Sequence, residues 1–313
     1  MKIRPTVILG FILVLACVTG AWAQDAALRA KVEDLFEKAD QYTEAKDLEG
    51  HMTLFADDWQ LILAGTDLKG ARDYIKQLFQ DNDELWAGHL ILDIKQSGKV
   101  IRVISDQMRK GRKDDGNWVE IYHRPELHYL IREGNHLKFL RTAEIDKDRL
   151  KNIDGQTYKD ENAGFSFTVP ESWGIIPSKH PTLQGFVLAL APDMTSVAML
   201  GHLKIPGINL NARQAIEGDE VTTENASTKD TYKLFSSGPI TVGGYEGFQT
   251  ESEFLIENSQ TRHRRRVYCK ADAFLYVLCF DAIPPKNWDM VKDGFQSILD
   301  SIQFDNPAKK AGI

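Results

Sequence analysis

The chain has 313 residues, 42% of them hydrophobic and 27% charged, which is the composition of a globular protein long enough for two domains. Its formal net charge of −7 disfavours non-specific binding to nucleic acid or anionic lipid, because both carry charge of the same sign. The sequence has no P-loop, no Gly-rich dinucleotide turn and no Cys/His cluster with metal-ligand spacing. We therefore expect no cofactor, no metal and no nucleic-acid partner.

Residues 1–23 have the pattern of a signal peptide. A short basic start precedes an apolar run, Val7–Val18, and the small residues of Ala21–Ala23 stand before Gln24. The run is shorter than a membrane-spanning helix requires. Cleavage before Gln24 would release an exported protein, periplasmic or extracellular. Cleavage before Cys17 is the alternative, and it would leave a lipidated cysteine that anchors the protein to a membrane.

Residues 24–146 are predicted to form an N-terminal domain that begins with helices. Apolar residues recur at helical spacing over 28–46 and again over 71–80, with charged residues on the opposite faces. Between these two helices, Asp47 is suited to cap a third, short helix that ends at 57–58.

Beyond these helices the hydrophobic period changes to two, which indicates strands. Turn residues separate five of them: 89–95, 99–109, 117–123, 126–131 and 136–142. Pro125 implies an edge position or a bulge between two of these strands, because proline cannot donate to a sheet ladder. Helices followed by antiparallel strands predict an α+β fold.

The amphipathic first helix is followed along the chain by the stretches LEGHMTLFADDWQLIL and KGARDYIKQLF, and then by the strands. This order resembles the SnoaL-like, or nuclear-transport-factor-2-like, cone family over about residues 26–145. The resemblance implies a curved antiparallel sheet folded around a conical pocket. Some members of that family are isomerases, dehydratases or cyclases, and many are non-catalytic binding or assembly modules.

A catalytic pocket of this kind needs an acid or a base in an apolar cavity, where desolvation shifts its pKa towards the working pH. His123 and Asp106 each share a strand face with apolar residues, which makes them the candidate catalytic groups. Tyr42, Trp59 and Trp86 are candidates to line the pocket. The alternative is that His123 is a hydrogen-bonded core or rim residue and that Asp106 belongs to a solvated strand face.

Residues 147–156 are highly charged, lack periodic apolar residues and are predicted to be a linker. A second domain is predicted over 157–305, with 306–313 as a tail. It opens with TYKDENAGFSFTVPESW, where Phe165 and Phe167 alternate with polar residues as in a half-buried strand. The pattern GFSF-TVP-ESW resembles the opening of PsbP-like domains, which bind partners and are not known as enzymes as a class. The resemblance implies an antiparallel sheet flanked by helices.

The rest of this domain is predicted to contain a short helix over 211–217, a closing helix capped by Asn287, and six strands: 185–191, 196–203, 232–242, 245–256, 261–269 and 273–281. Cys269 and Cys279 lie on the two strands of one hairpin, one near the turn and one several residues away. This offset exceeds disulfide reach, so both are expected to be buried free thiols.

One dense basic run, 261–266, lies on a predicted strand, where Arg262, Arg264 and Arg266 point to the same face. These three residues are candidates to receive an anionic partner. The alternative is a solvated strand edge whose charges discourage edge-to-edge aggregation.

The sequence favours an exported, non-catalytic binding or accessory protein, because it has two recognisable folds and no catalytic constellation. Its partner would be a protein or a small ligand. The alternative is a lyase or isomerase that acts in the N-terminal pocket through His123 or Asp106. A third hypothesis, an envelope-anchored accessory factor, depends on lipidation of Cys17.

Overall fold

The computed structural model describes residues 26–62, 66–114, 116–204, 211–255, 260–271 and 274–305. The predicted signal peptide, with Cys17, and the predicted tail lie outside these ranges. The chain divides into two compact units between Thr142 and Ala143, and each unit contains helices and strands. The α+β fold class is confirmed. No helix within the described ranges is long and apolar enough to cross a membrane.

The helices described in the N-terminal unit are α1 over 26–44, α2 over Leu48–Met52 and, after the first two strands, α3 over Leu68–Asp81. Asp47 and Asp67 cap α2 and α3, since each carboxylate accepts a hydrogen bond from the backbone nitrogen three residues on. Apolar residues at helical spacing on α1 are buried, namely Val32, Leu35, Phe36 and Ala39. One face of α1 therefore packs on the core.

Six strands of this unit form one sheet in the order β2-β1-β6-β5-β4-β3. They are β1 Phe55–Leu61, β2 Thr66–Asp67, β3 Glu84–Ser97, β4 Val100–Arg112, β5 Val119–Glu133 and β6 His136–Glu144. β1 runs parallel to β6, whereas β3, β4 and β5 pair antiparallel. Register shifts interrupt the β3–β4 and β4–β5 pairings once each, and bulges of this kind bend strands.

Two local predictions in this unit are wrong. Asp57 and Asp58 do not end a helix, because they lie within β1 with exposed side chains. The sequence predicts two strands on either side of Pro125, but β5 is one strand and Pro125 lies within it, opposite Asp106. The pairing of β5 with β4 continues through this position, so the proline does not divide the strand.

The C-terminal unit contains a seven-stranded antiparallel sheet in the order β10-β11-β12-β16-β15-β14-β13, and a smaller sheet in the order β17-β9-β8-β7. Its elements are β7 Ile153–Asp154, β8 Thr157–Asp160, β9 Phe165–Thr168, β10 Gly174–Pro177, β11 Gln184–Leu190, β12 Val197–Lys204, α4 Ala212–Ala226, β13 Lys233–Val242, β14 Tyr245–Phe254, β15 Arg262–Ala271, β16 Phe274–Ala282, α5 Trp288–Ser301 and β17 Gln303–Phe304. The predicted linker residues form a 3-10 helix, Lys147–Asn152, and then β7, which pairs with β8.

The stretch that opens this predicted domain supplies two strands and a packing tryptophan. Phe165 and Phe167 of β9 are buried in the core of the unit. The indole of Trp173 meets Phe295 of α5 edge to face, with ring centroids 5.2 Å apart. Gly294 of α5 permits this approach, because a Cβ there would lie 2.5 Å from an indole carbon.

Asn287 stands at the N-cap position of α5, but its side chain makes no capping hydrogen bond. Its Nδ2 instead donates to Oδ2 of Asp193 at 2.9 Å and to the carbonyl oxygen of Ile283 at 3.1 Å. The prediction that the side chain of Asn287 caps α5 is therefore wrong, although the residue does stand at the N-cap position. The side chain ties the start of α5 to the turn between β11 and β12.

The two cysteines of the C-terminal unit are both free, as predicted. Cys269 pairs across the hairpin with Tyr276, and Cys279 pairs with Arg266. Cys269 is buried and Cys279 is partly buried. Burial raises the pKa of each thiol, which makes both poor nucleophiles.

Candidate functional site

The N-terminal unit contains a partly open cavity of about 450 Å³, a volume typical of small-molecule sites. Apolar side chains from β1, β6 and α3 form one part of its lining: Phe55, Trp59, Leu61, Ala71, Ile75 and Phe139. Polar side chains of β3, β4 and β5 form another part. The cavity thus combines an apolar wall with a polar wall.

Strand alternation explains why polar residues converge on one wall. Side chains two positions apart point to the same face of a sheet. On β4, Gln107 and Arg109 continue the buried row formed at positions 101, 103 and 105. On β3, His89 continues the buried row at 85 and 87. The pleat therefore turns these polar residues inward together with the apolar core.

Asp40 of α1 and His89 of β3 form a buried pair at the polar wall. Nδ1 of His89 lies 2.5 Å from Oδ1 of Asp40, and the two side chains are 4% and 19% exposed. Phe36, one helical turn before Asp40, packs edge-on against the imidazole with a centroid distance of 4.9 Å. The carboxylate thus lies directly beside Nδ1 of the imidazole, although the two atoms do not meet hydrogen-bond geometry.

Gln107 links His89 to the rest of the polar wall. Its amide oxygen is assigned towards Nε2 of His89 at 2.5 Å and a guanidinium nitrogen of Arg109 at 3.3 Å. Its amide nitrogen then donates to Tyr122 at 2.5 Å and to Glu126 at 2.9 Å. The opposite assignment would set donor against donor at Arg109 and acceptor against acceptor at Glu126. In this network Nε2 of His89 carries a proton.

Glu126 and His128 extend the network along β5. The carboxylate of Glu126 accepts a hydrogen bond from Nε of Arg124 at 3.0 Å, and its other oxygen lies 3.5 Å from Nε2 of His128. The ring of His128 also contacts the hydroxyl oxygens of Ser105 at 3.1 Å and Thr142 at 3.2 Å. Each nitrogen of His128 is thus in contact with a polar partner.

Burial lowers the pKa of two histidines in the cavity wall. Desolvation lowers the pKa of His51 to about 3, and the charges of Arg109 and His89 act in the same direction. Desolvation also lowers the pKa of His128 well below its ordinary value, again with His89 and Arg109 contributing. Both imidazoles are therefore neutral at pH 7. They supply hydrogen-bonding groups to the cavity without charge.

The structure brings only one of the five predicted pocket residues to the cavity. Trp59 lines it, and its indole nitrogen donates to Thr142 at 3.3 Å. Tyr42 lies beside a different surface groove near the β5–β6 turn. Trp86 is 42% exposed and lies against Lys110.

Asp106 and His123 do meet, with Oδ1 and Nε2 3.3 Å apart, but neither lines the cavity. They alternate with Gln107, Arg109, Tyr122 and Arg124, so the pleat directs them to the opposite face of the sheet. The side chain of His123 is 42% exposed. The predicted position of the acid–base pair is corrected: Asp106 and His123 do not line the cavity, whereas His89 does, with Asp40 in contact with its Nδ1.

The three arginines of β15 share a face as predicted, yet they do not form an open anion patch. Arg264 donates two hydrogen bonds to the fully buried carboxylate of Asp281, and Arg262 lies 3.5 Å from the same group. Arg266 forms an ion pair with Glu220 of α4 at 2.7 Å. Two carboxylates of the same unit, Asp281 and Glu220, offset most of the charge of the three arginines, so these arginines serve the packing of β15.

Within the described residues, no group of three or more His, Cys, Asp or Glu side chains is arranged to hold a metal ion. The histidines of the cavity are each engaged by other groups. His51 lies 3.4 Å from the hydroxyl of Thr43, and His89 is held by Asp40 and Gln107.

No protein-family model and no curated protein sequence matches this chain. Some solved structures resemble parts of it. Bd1075 of Bdellovibrio bacteriovorus is 17% identical with a TM-score of 0.31, and the match covers 37% of this chain and 39% of that protein. Cyanobacterial PsbP of Synechocystis is 19% identical with a TM-score of 0.38, covering 48% of this chain and 91% of its own. A type 2 hexachlorocyclohexane dehydrochlorinase is 18% identical with a TM-score of 0.33, covering 38% and 85%.

The structural neighbours thus include proteins of both predicted kinds, each over part of the chain. This chain spans less than half of the Bdellovibrio protein. At TM-scores below 0.4, these likenesses carry no argument about the activity of this chain.

Proposed function

We propose that this is an exported binding or accessory protein whose N-terminal unit holds a small, mainly apolar molecule in its cavity. The observation that carries this proposal is the cavity of about 450 Å³ with an aromatic and aliphatic wall. A surface of this kind gains free energy when an apolar ligand displaces water from it. The polar wall would then orient the bound molecule through a few fixed hydrogen-bonding groups.

The contacts within the polar wall favour binding over turnover. His89 and Gln107 hold each other, and Gln107 also donates to Tyr122 and Glu126. These hydrogen bonds hold the four side chains in place, and rigidity favours specific recognition. The C-terminal unit would contribute the accessory role by contacting a protein partner, as its resemblance to PsbP-like domains suggests.

Binding to the cavity is tested with N-phenyl-1-naphthylamine, a neutral dye that fluoresces in apolar surroundings. Ala71 of α3 lines the cavity, so Ala71→Trp should fill it and weaken binding at least about tenfold. Leu61→Trp tests the same cavity from β1. Lys76→Trp is the control, because Lys76 is exposed on the same helix. Absence of dye binding to the wild type, or equal binding by all four proteins, would overturn the proposal.

Export is tested by mass spectrometry of the mature amino terminus. A protein that begins at Gln24 in the exported fraction supports a released protein. A diacylglycerol-modified Cys17 supports the membrane-anchored form. A full-length chain retained in the cytoplasm contradicts both.

A second candidate function is proton transfer by a lyase or isomerase, and the Asp40–His89 pair is the observation that favours it. A ligand that displaces Gln107 would face Nε2 of an imidazole whose Nδ1 lies beside a carboxylate. With Gln107 displaced and the single ring proton on Nδ1 towards Asp40, the imidazole would take a proton at Nε2 from a carbon acid of the ligand. The electron pair left behind would form a double bond, with expulsion of a leaving group or return of the proton to another carbon.

Solvent deuterium incorporation distinguishes this second candidate from simple binding. Small ketones and esters that bind the cavity are incubated with the protein in D₂O and followed by NMR. His89→Gln and Asp40→Asn should each abolish exchange while dye binding persists. Exchange that is absent in the wild type, or unchanged in both variants, would exclude this role for the pair.

A further inference from the structure

Arg109 is a buried cation in the wall of the N-terminal cavity. Its side chain comes from β4, and the residue is only 7% exposed. Its Nε is buried and has no hydrogen-bond partner. The contacts described for its guanidinium group are one amide oxygen, that of Gln107, and the face of the Tyr122 ring 5.2 Å away. A buried guanidinium with an unused donor is costly unless an anion completes it.

The other charged groups that line or support this wall are already in contact with partners. Arg124 and Glu126 pair at 3.0 Å, and Asp40 pairs with His89 at 2.5 Å. Among the described residues, no carboxylate forms an ion pair with Arg109. Its charge is therefore the one in the polar wall that the described residues leave uncompensated.

Tyr122 adds a second donor beside Arg109. Its phenolic oxygen accepts a hydrogen bond from the amide nitrogen of Gln107, so its own hydroxyl proton is available to another acceptor. Burial raises the pKa of Tyr122, which keeps this hydroxyl protonated at neutral pH. A guanidinium and a phenol thus converge on the same part of the cavity.

We propose that Arg109 and Tyr122 form an anion subsite, and that the natural ligand is a monocarboxylate with an apolar body. A planar carboxylate can accept from the guanidinium group of Arg109 and from the phenol at once. A dianion such as phosphate is disfavoured, because the carboxylate of Glu126 shares the same network through Gln107. The apolar wall accepts the body of the ligand. This inference rests on the proposed binding function of the cavity.

The test compares naphthalene-2-carboxylate with its neutral isostere naphthalene-2-carboxamide by isothermal titration calorimetry at pH 7.5. The wild type should bind the carboxylate about tenfold or more tightly than the amide, because only the anion forms charge-assisted hydrogen bonds. In Arg109→Gln this ratio should fall to about one. Arg112→Gln is the matched control, since Arg112 is on the same strand but pairs with Glu84. It should keep the ratio of the wild type.

The melting temperature of the unliganded variants separates a binding role from a structural one. Removing an uncompensated buried charge should leave the melting temperature of Arg109→Gln unchanged or higher, whereas loss of a structural ion pair would lower it. A preference for the carboxylate that survives in Arg109→Gln overturns the subsite.

The subsite is also overturned if the wild type binds the carboxylate no more tightly than the carboxamide. This result does not depend on the folding of any variant. If the amide or the neutral dye still binds, the cavity remains a binding site and only the inference about the anion fails. If no carboxylate, amide or dye binds, the proposed function fails with it.

Discussion

Asp281 is the residue whose replacement should most damage the C-terminal unit. It lies on the central strand β16, is fully buried, and accepts from Nε and an Nη of Arg264, each at 2.5 Å. Burial raises the pKa of Asp281, but the charge and hydrogen bonds of Arg264 outweigh this effect and lower the pKa below its ordinary value. The carboxylate is therefore ionised in the folded protein at neutral pH.

Asp281→Asn keeps the size of the side chain but removes its charge. Arg264 is then left buried beside an amide that can accept with only one atom. Removal of one partner from a buried ion pair costs about 3–5 kcal/mol, and Arg262 adds a second unbalanced charge nearby. We expect a loss of that size. Replacing both members, as Arg264→Met with Asp281→Leu, should recover part of it, because the buried pair is gone and only the partly exposed Arg262 keeps an unpaired charge.

The assay is hydrogen exchange by mass spectrometry on peptides of β15 and β16 in increasing urea, using the full chain. Peptide-resolved exchange is needed because a chain with two units does not unfold in one step. Asp289→Asn is the control, since Asp289 is exposed on α5 and pairs with Lys292 at the surface. It should leave exchange unchanged. A loss below about 1 kcal/mol in Asp281→Asn would refute the reasoning from burial.

Two further predictions concern pH and helix packing. The pKa of His51 is about 3 in the folded protein against an ordinary 6.5, so its contribution to stability is full above pH 6.5 and is lost as pH falls towards 3. In His51→Phe the free energy of unfolding should therefore fall less steeply over this pH range, as measured by urea titrations at stepped pH. Gly294→Ala should destabilise α5 despite the higher helix propensity of alanine, because its Cβ would meet the indole of Trp173. Gly218→Ala on α4 faces open space and should stabilise by about 0.5–1 kcal/mol, and equal effects on thermal unfolding at the two sites would contradict the packing argument.

Helices and strands were predictable where apolar residues recur clearly at either helical or strand spacing. The α1 helix, the hairpin of β15 and β16 and the turn at 243–244 follow from the sequence because local pattern and final burial agree. The 3-10 helix over Lys147–Asn152 was not predictable, since its residues are charged. Arg149 of this helix donates to Asp160 and to the carbonyl oxygens of Ser178 and Phe186, contacts that only the folded unit creates.

The candidate site was harder to predict because its polar side chains lie at inward-facing positions, where the hydrophobic pattern leads one to expect apolar residues. Asp106 and His123 were chosen because apolar neighbours share their strand face, but the cavity lies on the other face. One signal could have indicated His89, since it follows Leu85 and Ala87 at alternate positions. Asp40 could not be found this way. It stands next to the buried Ala39 on α1, and the sequence does not show that β3 brings a histidine to it.

The polar wall also shows why net charge says little about a single site. The chain carries a formal charge of −7, yet the uncompensated group in the cavity is a cation. Surface charges act through water and salt, which screen them beyond about 10 Å, whereas Arg109 acts at contact distance in a partly desolvated wall. Two neutral histidines beside it add no competing charge. The sign of a ligand is therefore decided by the buried donor that lacks a partner, and in this cavity that donor selects an anion.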